Sequence, residues 1–327
     1  MHLLAIIIGF LLDLLIGDPR WLYHPVRLIG KLIEVLEKPL RNTFAKTEKG
    51  ERAAGRLLVV LVCGITTAVA FLILFVLYRV NFWAGFVVEI LMCYQLFAVR
   101  SLRDESMKVY RELERGDLPA ARFAVSMIVG RDTDSLDEEG VTKATVETIA
   151  ENTSDGTLAP LFYMMIGGPV LGWFYKSVNT MDSMVGYKND KYINLGRCGA
   201  KFDDVLNFIP ARLCAIFMII ASGFMGLDAK NAYRIFKRDR FNHASPNSAQ
   251  TEAVMAGALN VQLAGNAYYF GKLYEKPTIG DANRPIAYKD IKRANHLLYM
   301  TSIVAIVIFG AIRVMAGVLV NLLYIMI

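Results

Sequence analysis

An uninterrupted apolar stretch constrains this chain more than any other feature of its sequence. Between Arg56 and Arg79 lie 22 residues, Leu57 to Tyr78, without one charged side chain. A helix needs ~20 apolar residues to cross the hydrocarbon core of a bilayer. This segment therefore predicts a membrane-spanning helix. More spans are expected, because 55% of the 327 residues are hydrophobic.

The other apolar segments predict an all-α fold, that of a polytopic helical integral membrane protein. The apolar segments cover residues 2–17, 57–78, 80–99, 158–175, 205–227 and 297–327, giving five or six membrane segments joined by helical polar loops. The first lacks a basic region and a cleavage site, so we expect a retained helix and not a signal peptide. We treat residues 1–327 as one membrane-embedded domain.

Residues 100–157 form a soluble helical insert in this scheme. Helical periodicity over 100–115 stops at Gly116-Asp117, and Pro119 stands where a second helix would begin. Ser135 and Glu138 match the S-x-x-E capping box, which predicts a third helix that runs toward Asn152. No stretch alternates as strands do.

Several apolar segments are interrupted by polar or helix-breaking residues. Glu89, Arg212 and Arg313 lie within them, and ionisable groups at membrane depth usually face a bundle interior or a polar cavity. Gly167-Gly168-Pro169 would break the fourth segment, which either spans the membrane or re-enters it. The side of the membrane on which residues 176–204 lie depends on whether this segment spans or re-enters.

The net charge of +6 is spread over the loops, which disfavours nucleic acid as a partner and fits a lipid bilayer and phosphorylated small molecules. Residues 18–56 carry nine Lys and Arg and residues 100–157 carry eight, which places both in the cytoplasm and the N-terminus outside. The four cysteines show no C-x-x-C spacing, so neither a disulfide framework nor a zinc site is expected.

The strongest candidate for chemistry is ETIAENTSDGTLAP at 147–160. Glu147 and Glu151 share a helix face and repel each other mildly, so a cation is expected beside them. Mg²⁺ favours one or two carboxylates plus substrate phosphates. Asn152, Thr153 and Asp155 follow Glu151 closely and supply further oxygen-bearing groups. The alternative is a solvated helix face that ends in an Asn/Asp/Gly turn.

A second polar run, 175–212, is flanked by apolar segments. Lysine binds phosphate as a point charge, Arg forks onto anions and Asp can hold a metal; the alternative is a hydrophilic loop with internal ion pairs. The candidate residues are Asn179, Asp182, Ser183, Tyr187, Lys188, Asp190, Lys201, Asp203, Asp204 and Arg212.

Two further runs and one weaker motif add polar candidates. His24 and Arg27 follow the first apolar segment, although a lone His is more often structural. Small residues at 253–258 allow close helix packing but do not explain the polar residues around them. The remaining candidates are Arg131, His243, Ser245, Asn247, Glu252 and Asn266.

In this order and over nearly the whole chain, these motifs resemble the adenosylcobinamide-phosphate synthase family of cobalamin biosynthesis, known as CbiB or CobD. The resemblance is carried by GDPRWLYHPVR at 17–27, VGRDT at 129–133, ETIAENTSDGTLAPLFY at 147–163, NTMDSMVGYKNDKY at 179–192, AKFDDVLNFIPARL at 200–213, HASPNS at 243–248 and AGALNVQLAG at 256–265. One departure is Ala249-Gln250-Thr251, where the family more often carries a Gly, an aromatic residue and a Pro.

The resemblance implies a multi-pass enzyme of the cell membrane, an ATP-dependent ligase that joins a carboxylate of adenosylcobyric acid to aminopropanol or its O-phosphate. It implies ATP and Mg²⁺ as cofactors, and other cobamide-assembly membrane enzymes as partners. For this chemistry we expect Glu147, Glu151, Asp155 and Asp182 to be catalytic. Metal ligands are expected among Glu151, Asp155, Asp190, Asp203 and Asp204, and the other candidates are expected to bind substrate.

Two other functions compete with the ligase. A transporter would also carry polar groups at membrane depth, but its internal repeat is missing from this sequence. A regulatory membrane protein of the same architecture would have lost the dense acidic runs, which this chain retains.

Overall fold

The computed structural model describes residues 1–19, 21–187 and 189–326, with side chains to residue 320, and most of these residues are helical. The helices are α1 (His2–Ile16), α2 (Pro25–Thr43), α3 (Glu48–Val80), α4 (Phe82–Tyr94), α5 (Val99–Glu114), α6 (Leu118–Ser126), α7 (Glu138–Thr153), α8 (Ala159–Val185), α9 (Arg197–Leu206), α10 (Phe208–Phe224), α11 (Ala229–Asp239), α12 (Ser248–Leu259) and α13 (Lys289–Met326). A π-helix, Ser154–Leu158, joins α7 to α8.

Four helical stretches in the described chain are long and apolar enough to cross a membrane, or five if α9 and α10 count as one span. The four are Glu48–Val80, Phe82–Glu114, Glu138–Val185 and Lys289–Val320. The apolar helix α1 has 15 residues and falls short of this length. The predicted all-α polytopic fold is confirmed.

The chain divides into two compact units. Unit 1 comprises Met1–Ala98, Ala159–Asn207 and Phe309–Ile327, and unit 2 comprises Val99–Leu158 and Phe208–Ile308. In unit 1, α8 packs against α2, α3, α4 and α9. Glu89 of α4 is fully buried there and accepts hydrogen bonds from the Tyr78 hydroxyl and the His2 imidazole, as its place in an apolar segment predicts.

The predicted break in the fourth apolar segment lies within α8. Gly167 and Gly168 both leave helical geometry, and Gly168 takes φ 65° and ψ −167°, a backbone conformation open essentially to glycine alone. Pro169 then starts the second half of the helix, where its missing N–H costs least.

In unit 2, α12 is a buried helix that packs against α7, α10 and α11. A side chain on Gly257 would meet the backbone of Ala232 at 2.6 Å, so only glycine permits this approach to α11. The Asn231 amide crosses the contact and donates to the Gly257 carbonyl at 3.0 Å. The small residues at 253–258 therefore serve packing.

One prediction for unit 2 needs correction. Helix α7 begins at Glu138 with Asp137 as its N-cap, whose carboxylate accepts from the Gly140 N–H at 2.7 Å, so the Ser135 capping box is wrong. Asp is itself a preferred cap, and it directly precedes the first turn.

Short strands also occur, each too brief to produce a visible alternation in sequence. They are β1 (Leu263–Ala264), β2 (Ala267–Tyr269), β3 (Lys272–Tyr274) and β4 (Thr278–Ile279), paired antiparallel as β1 with β4 and β2 with β3.

Candidate functional site

The site in unit 2 is built on α7, which is buried along most of its length. Glu147 has only 4% of its surface exposed, so the alternative of a solvated helix face is wrong for this residue. Its carboxylate pairs with the Arg131 guanidinium and accepts from the Ala264 N–H at 2.6 Å. Burial alone would lower the pKa of Arg131, but the neighbouring Glu147 carboxylate outweighs it and the pKa is raised.

Arg131 is held in place by its neighbour Asp132. The Asp132 carboxylate accepts from the backbone N–H groups of Phe270 and Gly271, at 3.2 and 2.7 Å, in the turn between β2 and β3. The Asp132 N–H donates to the Tyr268 carbonyl at 2.9 Å. The hairpin thus fixes the backbone from which Arg131 reaches Glu147.

Glu151, one turn beyond Glu147, faces α12. It accepts a hydrogen bond from the Ser248 hydroxyl at 2.9 Å. Glu252, four residues after Ser248, is 5% exposed, and its pKa lies well above the ordinary value because burial disfavours the charge and the Glu147 and Glu151 carboxylates repel it. We call Glu147, Glu151 and Glu252 the acidic cluster.

His243 and Lys276 lie near the acidic cluster. Burial lowers the pKa of His243, opposed by the Glu151 charge, and its Nδ1 accepts from the Ser245 N–H at 3.0 Å. Lys276 donates to the Tyr269 hydroxyl at 2.8 Å and acts on Glu252 through its charge. Among the described residues, the positive charges of Arg131 and Lys276 thus partly offset the repulsion that Glu252 feels from Glu147 and Glu151.

The π-helix Ser154–Leu158 continues directly from α7. Asp155 lies in its first turn and is half-buried, whereas the hydroxyls of Ser154 and Thr157 are buried with no hydrogen-bond partner among the described residues. Buried hydroxyls are normally hydrogen-bonded, and π-helical turns recur at functional sites. These orphan hydroxyls point to a ligand or water at this turn.

Other predicted residues of unit 2 use their polar atoms on the protein itself. Asn152 and Thr153 donate to the carbonyls of Thr148 and Ile149, at 3.0 and 2.7 Å. Asn266, which is exposed, accepts from the Lys276 N–H at 3.2 Å. These contacts support the backbone and do not extend the acidic cluster.

Arg212 lies on α10 against Asn247. Its guanidinium donates to Asn247 Oδ1 at 3.2 Å and to the Phe208 carbonyl at 2.7 Å, and it stacks 3.5 Å from the Phe208 ring centre. Arg212 therefore links α10 to the turn before α12.

Unit 1 contains a separate polar cluster on α8 and α9. Asp203, 7% exposed, accepts from the amides of Asn207 and Asn179, at 2.9 and 3.5 Å. The Tyr175 hydroxyl donates to Asn207 at 2.9 Å, and Asp182 lies within electrostatic range of Asp203.

The remaining predicted residues of unit 1 differ in their burial and their contacts. Asp204 is half-buried, Ser183 donates to its own helix at the Asn179 carbonyl, and Lys188 lies outside the described residues. His24 caps α2, where Nδ1 accepts from the Val26 N–H at 3.2 Å. The exposed ones are Arg27, Tyr187, Asp190 and Lys201.

Among the described residues, no three His, Cys, Asp or Glu side chains form a metal-binding group. Of the five predicted metal ligands, Glu151 and Asp155 belong to unit 2, whereas Asp190, Asp203 and Asp204 belong to unit 1. Mg²⁺ commonly takes one or two carboxylates and completes its shell with water and phosphate oxygens. Glu151 and Asp155, beside two orphan hydroxyls, offer the hard oxygen donors that suit it.

Sequence reasoning missed several residues that shape these sites. Ser248 and Asn207 each had a signal, since Ser248 stands four residues before Glu252 and Asn207 four after Asp203, on the same helix faces. Asp132 stands in the VGRDT motif, but its contacts with Phe270 and Gly271, like the contact of the Ala264 N–H, depend on turns that sequence does not reveal.

These helices and the buried acidic cluster define a multi-pass membrane protein with a polar internal site. The family model described as CobD/CbiB protein matches residues 6–298. The chain belongs to this family.

The similar proteins in the comparison cover almost the whole chain. The cobalamin biosynthesis protein CobD of Clostridium perfringens is 48% identical over 311 residues, 95% of this chain and 98% of that protein. CobD of Listeria monocytogenes is 48% identical over 312 residues, with the same coverage. The cobalamin biosynthesis protein CbiB of Salmonella typhi is 44% identical over 313 residues, 96% of this chain and 98% of that protein. No solved structure matches the chain.

Proposed function

We propose that this protein is a biosynthetic enzyme of the cell membrane that works in cobalamin biosynthesis. In this proposal it joins the free propionate carboxylate of adenosylcobyric acid to the amine of aminopropanol, or of its O-phosphate, with consumption of ATP. The names of its relatives support the pathway. The acidic cluster, with the orphan hydroxyls that follow it, is the observation that favours an enzyme site.

The proposed reaction has two steps, formation of an acyl phosphate and then formation of the amide. A carboxylate oxygen attacks the γ-phosphorus of ATP, ADP leaves, and an acyl phosphate forms. The amine nitrogen then attacks the acyl carbon, phosphate leaves with the electron pair of the broken C–O bond, and the nitrogen loses a proton to give the amide. Activation is required because a carboxylate itself has no leaving group.

Glu151 and Asp155 would hold Mg²⁺, which neutralises the phosphate charge during such a transfer. Arg131 orients the Glu147 carboxylate, and Ser248 orients one Glu151 oxygen. The hydroxyls of Ser154 and Thr157 can donate to phosphate oxygens. Asp182, in unit 1, remains our candidate for a further catalytic carboxylate.

The test supplies purified protein with adenosylcobyric acid, aminopropanol phosphate, ATP and Mg²⁺, followed by mass spectrometry for the amide. We expect product from the wild type and none from Glu151→Gln or Asp155→Asn, because each change keeps the size and removes a charge. Glu139→Gln, on the exposed face of the same helix, is the matched control and should keep full activity. Full activity in both test variants would move the metal site to Asp182, Asp190, Asp203 and Asp204.

The same preparation separates an enzyme from a transporter. A transporter would move the corrinoid across a liposome membrane without forming an amide, and a regulatory relative would do neither. Absence of product, with the corrinoid accumulating inside liposomes, would contradict the ligase proposal.

A further inference from the structure

Helix α10 carries a cation beside an exposed apolar surface. Ile209, Ile216 and Ile220 recur on one face of the helix and are 54%, 47% and 40% exposed. We call these three residues the apolar stripe. In a membrane protein, a surface of this kind meets the acyl chains of lipids. Arg212 is half-buried and lies beside the stripe, three residues after Ile209, where its charge is costly unless an anion pairs with it.

Arg212 forms no salt bridge within the part of the chain that the structure describes. Its guanidinium donates to two neutral oxygens, the Phe208 carbonyl at 2.7 Å and Asn247 Oδ1 at 3.2 Å. The charged group within electrostatic range of it is Arg240, a second cation, which directly follows α11. Because like charges repel, their proximity becomes favourable when an anion lies between them.

Arg240 is held in place but is not neutralised. Its guanidinium lies over the rings of Phe236 and Phe241, 5.2 and 4.8 Å from the ring centres. Its backbone carbonyl accepts from the Gln250 amide at 2.9 Å. Its Nε is buried without a hydrogen-bond partner among the described residues. Buried N–H groups are normally satisfied, so this one points to an acceptor supplied by a ligand or water.

The carboxylates near the end of α11 already have partners. Arg238 pairs with Asp239 at 2.6 Å and with Asp281 at 2.7 Å. Arg234 also pairs with Asp281. Arg212 and Arg240 are therefore two neighbouring guanidiniums, neither of which has a salt bridge to a described carboxylate.

We propose that Arg212 and Arg240 bind the phosphodiester of an anionic phospholipid, whose acyl chains lie along the apolar stripe. Guanidinium forks suit phosphate oxygens, and two of them match a headgroup with net negative charge. The rings of Phe208 and Phe241 lie against the guanidiniums and leave N–H edges for oxygen acceptors. Phosphatidylethanolamine fits less well, because its ammonium would meet two cations.

This lipid site goes beyond the proposed ligase reaction and removes Arg212 from the residues expected to bind substrate. Helices α10 and α11 both pack against α12, which carries Ser248 and Glu252. A lipid held by Arg212 and Arg240 joins α10 to the end of α11. It thereby stabilises the helices that support the acidic cluster, and this support depends on the lipid composition of the membrane.

Native mass spectrometry of the purified full-length protein, in detergent with added phosphatidylglycerol or phosphatidylcholine, tests the proposal. We expect the wild type to retain phosphatidylglycerol preferentially. Arg212→Ala and Arg240→Ala should each lower its affinity about tenfold, because hydrogen bonds to a charged group are lost. Arg240→Lys keeps the charge without the fork and should lose less. Lys230→Ala removes the same charge from the exposed start of α11 and is the matched control, with wild-type binding.

Unfolding midpoints provide a second measurement and show whether each variant is folded. Phosphatidylglycerol should raise the midpoint of the wild type and of Lys230→Ala more than phosphatidylcholine does, and this difference should vanish in Arg240→Ala. If Arg212→Ala fails to fold, Arg240→Ala decides alone, because its side chain has no hydrogen bond to lose among the described residues.

Three results would overturn the proposal. The first is equal retention of phosphatidylglycerol and phosphatidylcholine by the wild type. The second is an unchanged lipid preference in a folded Arg240→Ala variant. The third is displacement of phosphatidylglycerol by millimolar inorganic phosphate, which would show a site for free anions and not for a lipid.

Discussion

Among single residues, Glu252 makes the folding stability of the protein depend on pH. Its pKa is raised by burial and by the Glu147 and Glu151 charges, so the folded protein holds a proton that the unfolded chain releases above pH ~4.5. The stability from this group is complete below that pH and is lost as pH rises through the raised pKa. The slope between the two pKa values is about 1.4 kcal/mol per pH unit.

We therefore expect Glu252→Gln to remove this part of the pH dependence. Unfolding midpoints in detergent, measured from pH 5 upward, should fall for the wild type relative to the variant. Glu275→Gln, at an exposed glutamate, is the control and should follow the wild type. Parallel curves for wild type and Glu252→Gln would show that Glu252 is ionised in the fold.

The ion pair of Arg131 and Glu147 gives a second prediction. Glu147→Gln leaves a mostly buried guanidinium without its carboxylate, and breaking a buried pair costs on the order of 3–5 kcal/mol. The double variant Arg131→Met, Glu147→Leu should recover much of this loss, because no charge stays buried. Removing the partly exposed pair of Lys143 and Glu139 on the same helix should cost only about 0–1 kcal/mol.

Chemical unfolding followed by circular dichroism measures all of these variants. A Glu147→Gln variant as stable as the wild type would mean that water or another group compensates Arg131.

The sequence identified individual residues of the site better than their contacts. Glu147, Glu151, Arg131, His243 and Glu252 were all predicted, because charged residues beside apolar segments stand out. Their arrangement was not predictable, since the Glu151 to Ser248 bond joins positions 97 residues apart. No periodic pattern encodes a contact of that separation.

Among the elements, α8 depends on the glycine at its break. Gly168→Ala would force a side chain into a backbone region that costs about 1–3 kcal/mol, although the nearest neighbour, His2, is 3.9 Å away and leaves room for a methyl group. We expect a corresponding fall in the unfolding midpoint. Gly64→Ala in α3, also with open space around it, is the matched control and should be neutral or stabilising by up to about 1 kcal/mol. Equal effects of the two changes would show that the break is not strained.

Element boundaries were predictable only where a single residue dominates. The break at Gly167-Gly168-Pro169 and the start of α6 near Pro119 followed from proline and glycine geometry. The start of α7 did not, because Ser135 and Asp137 are both good caps and the downstream packing of the helix selects between them. The two strand pairs of unit 2 depend on turns and distant contacts.

For the whole molecule, the side of the membrane on which residues 176–204 lie gives a further prediction. If they share an ATP site with the cytoplasmic loops, a cysteine at Asn189 should react with an impermeant thiol reagent only from the cytoplasmic side. The experiment needs the four native cysteines removed, and a cysteine at Lys46, in the loop between α2 and α3 that the Lys and Arg density predicts to be cytoplasmic, serves as the reference. Labelling of Asn189→Cys from outside intact cells would exclude 176–204 from a cytoplasmic site, unless the loop folds back into the membrane.

The contacts of α7 impose an order on biosynthesis. Glu151 and Glu147 take hydrogen bonds from Ser248 and Ala264, which follow them by 97 and 117 residues. At roughly 5–20 residues per second, a ribosome delivers Ser248 about 5–20 seconds after Glu151. During that interval Arg131 is already available to Glu147, but Glu151 lacks the Ser248 hydroxyl and Glu147 lacks the Ala264 N–H, so α7 cannot complete the contacts of its buried position. A chain that stalls before residue 248 therefore leaves an acidic helix for cellular quality control to recognise.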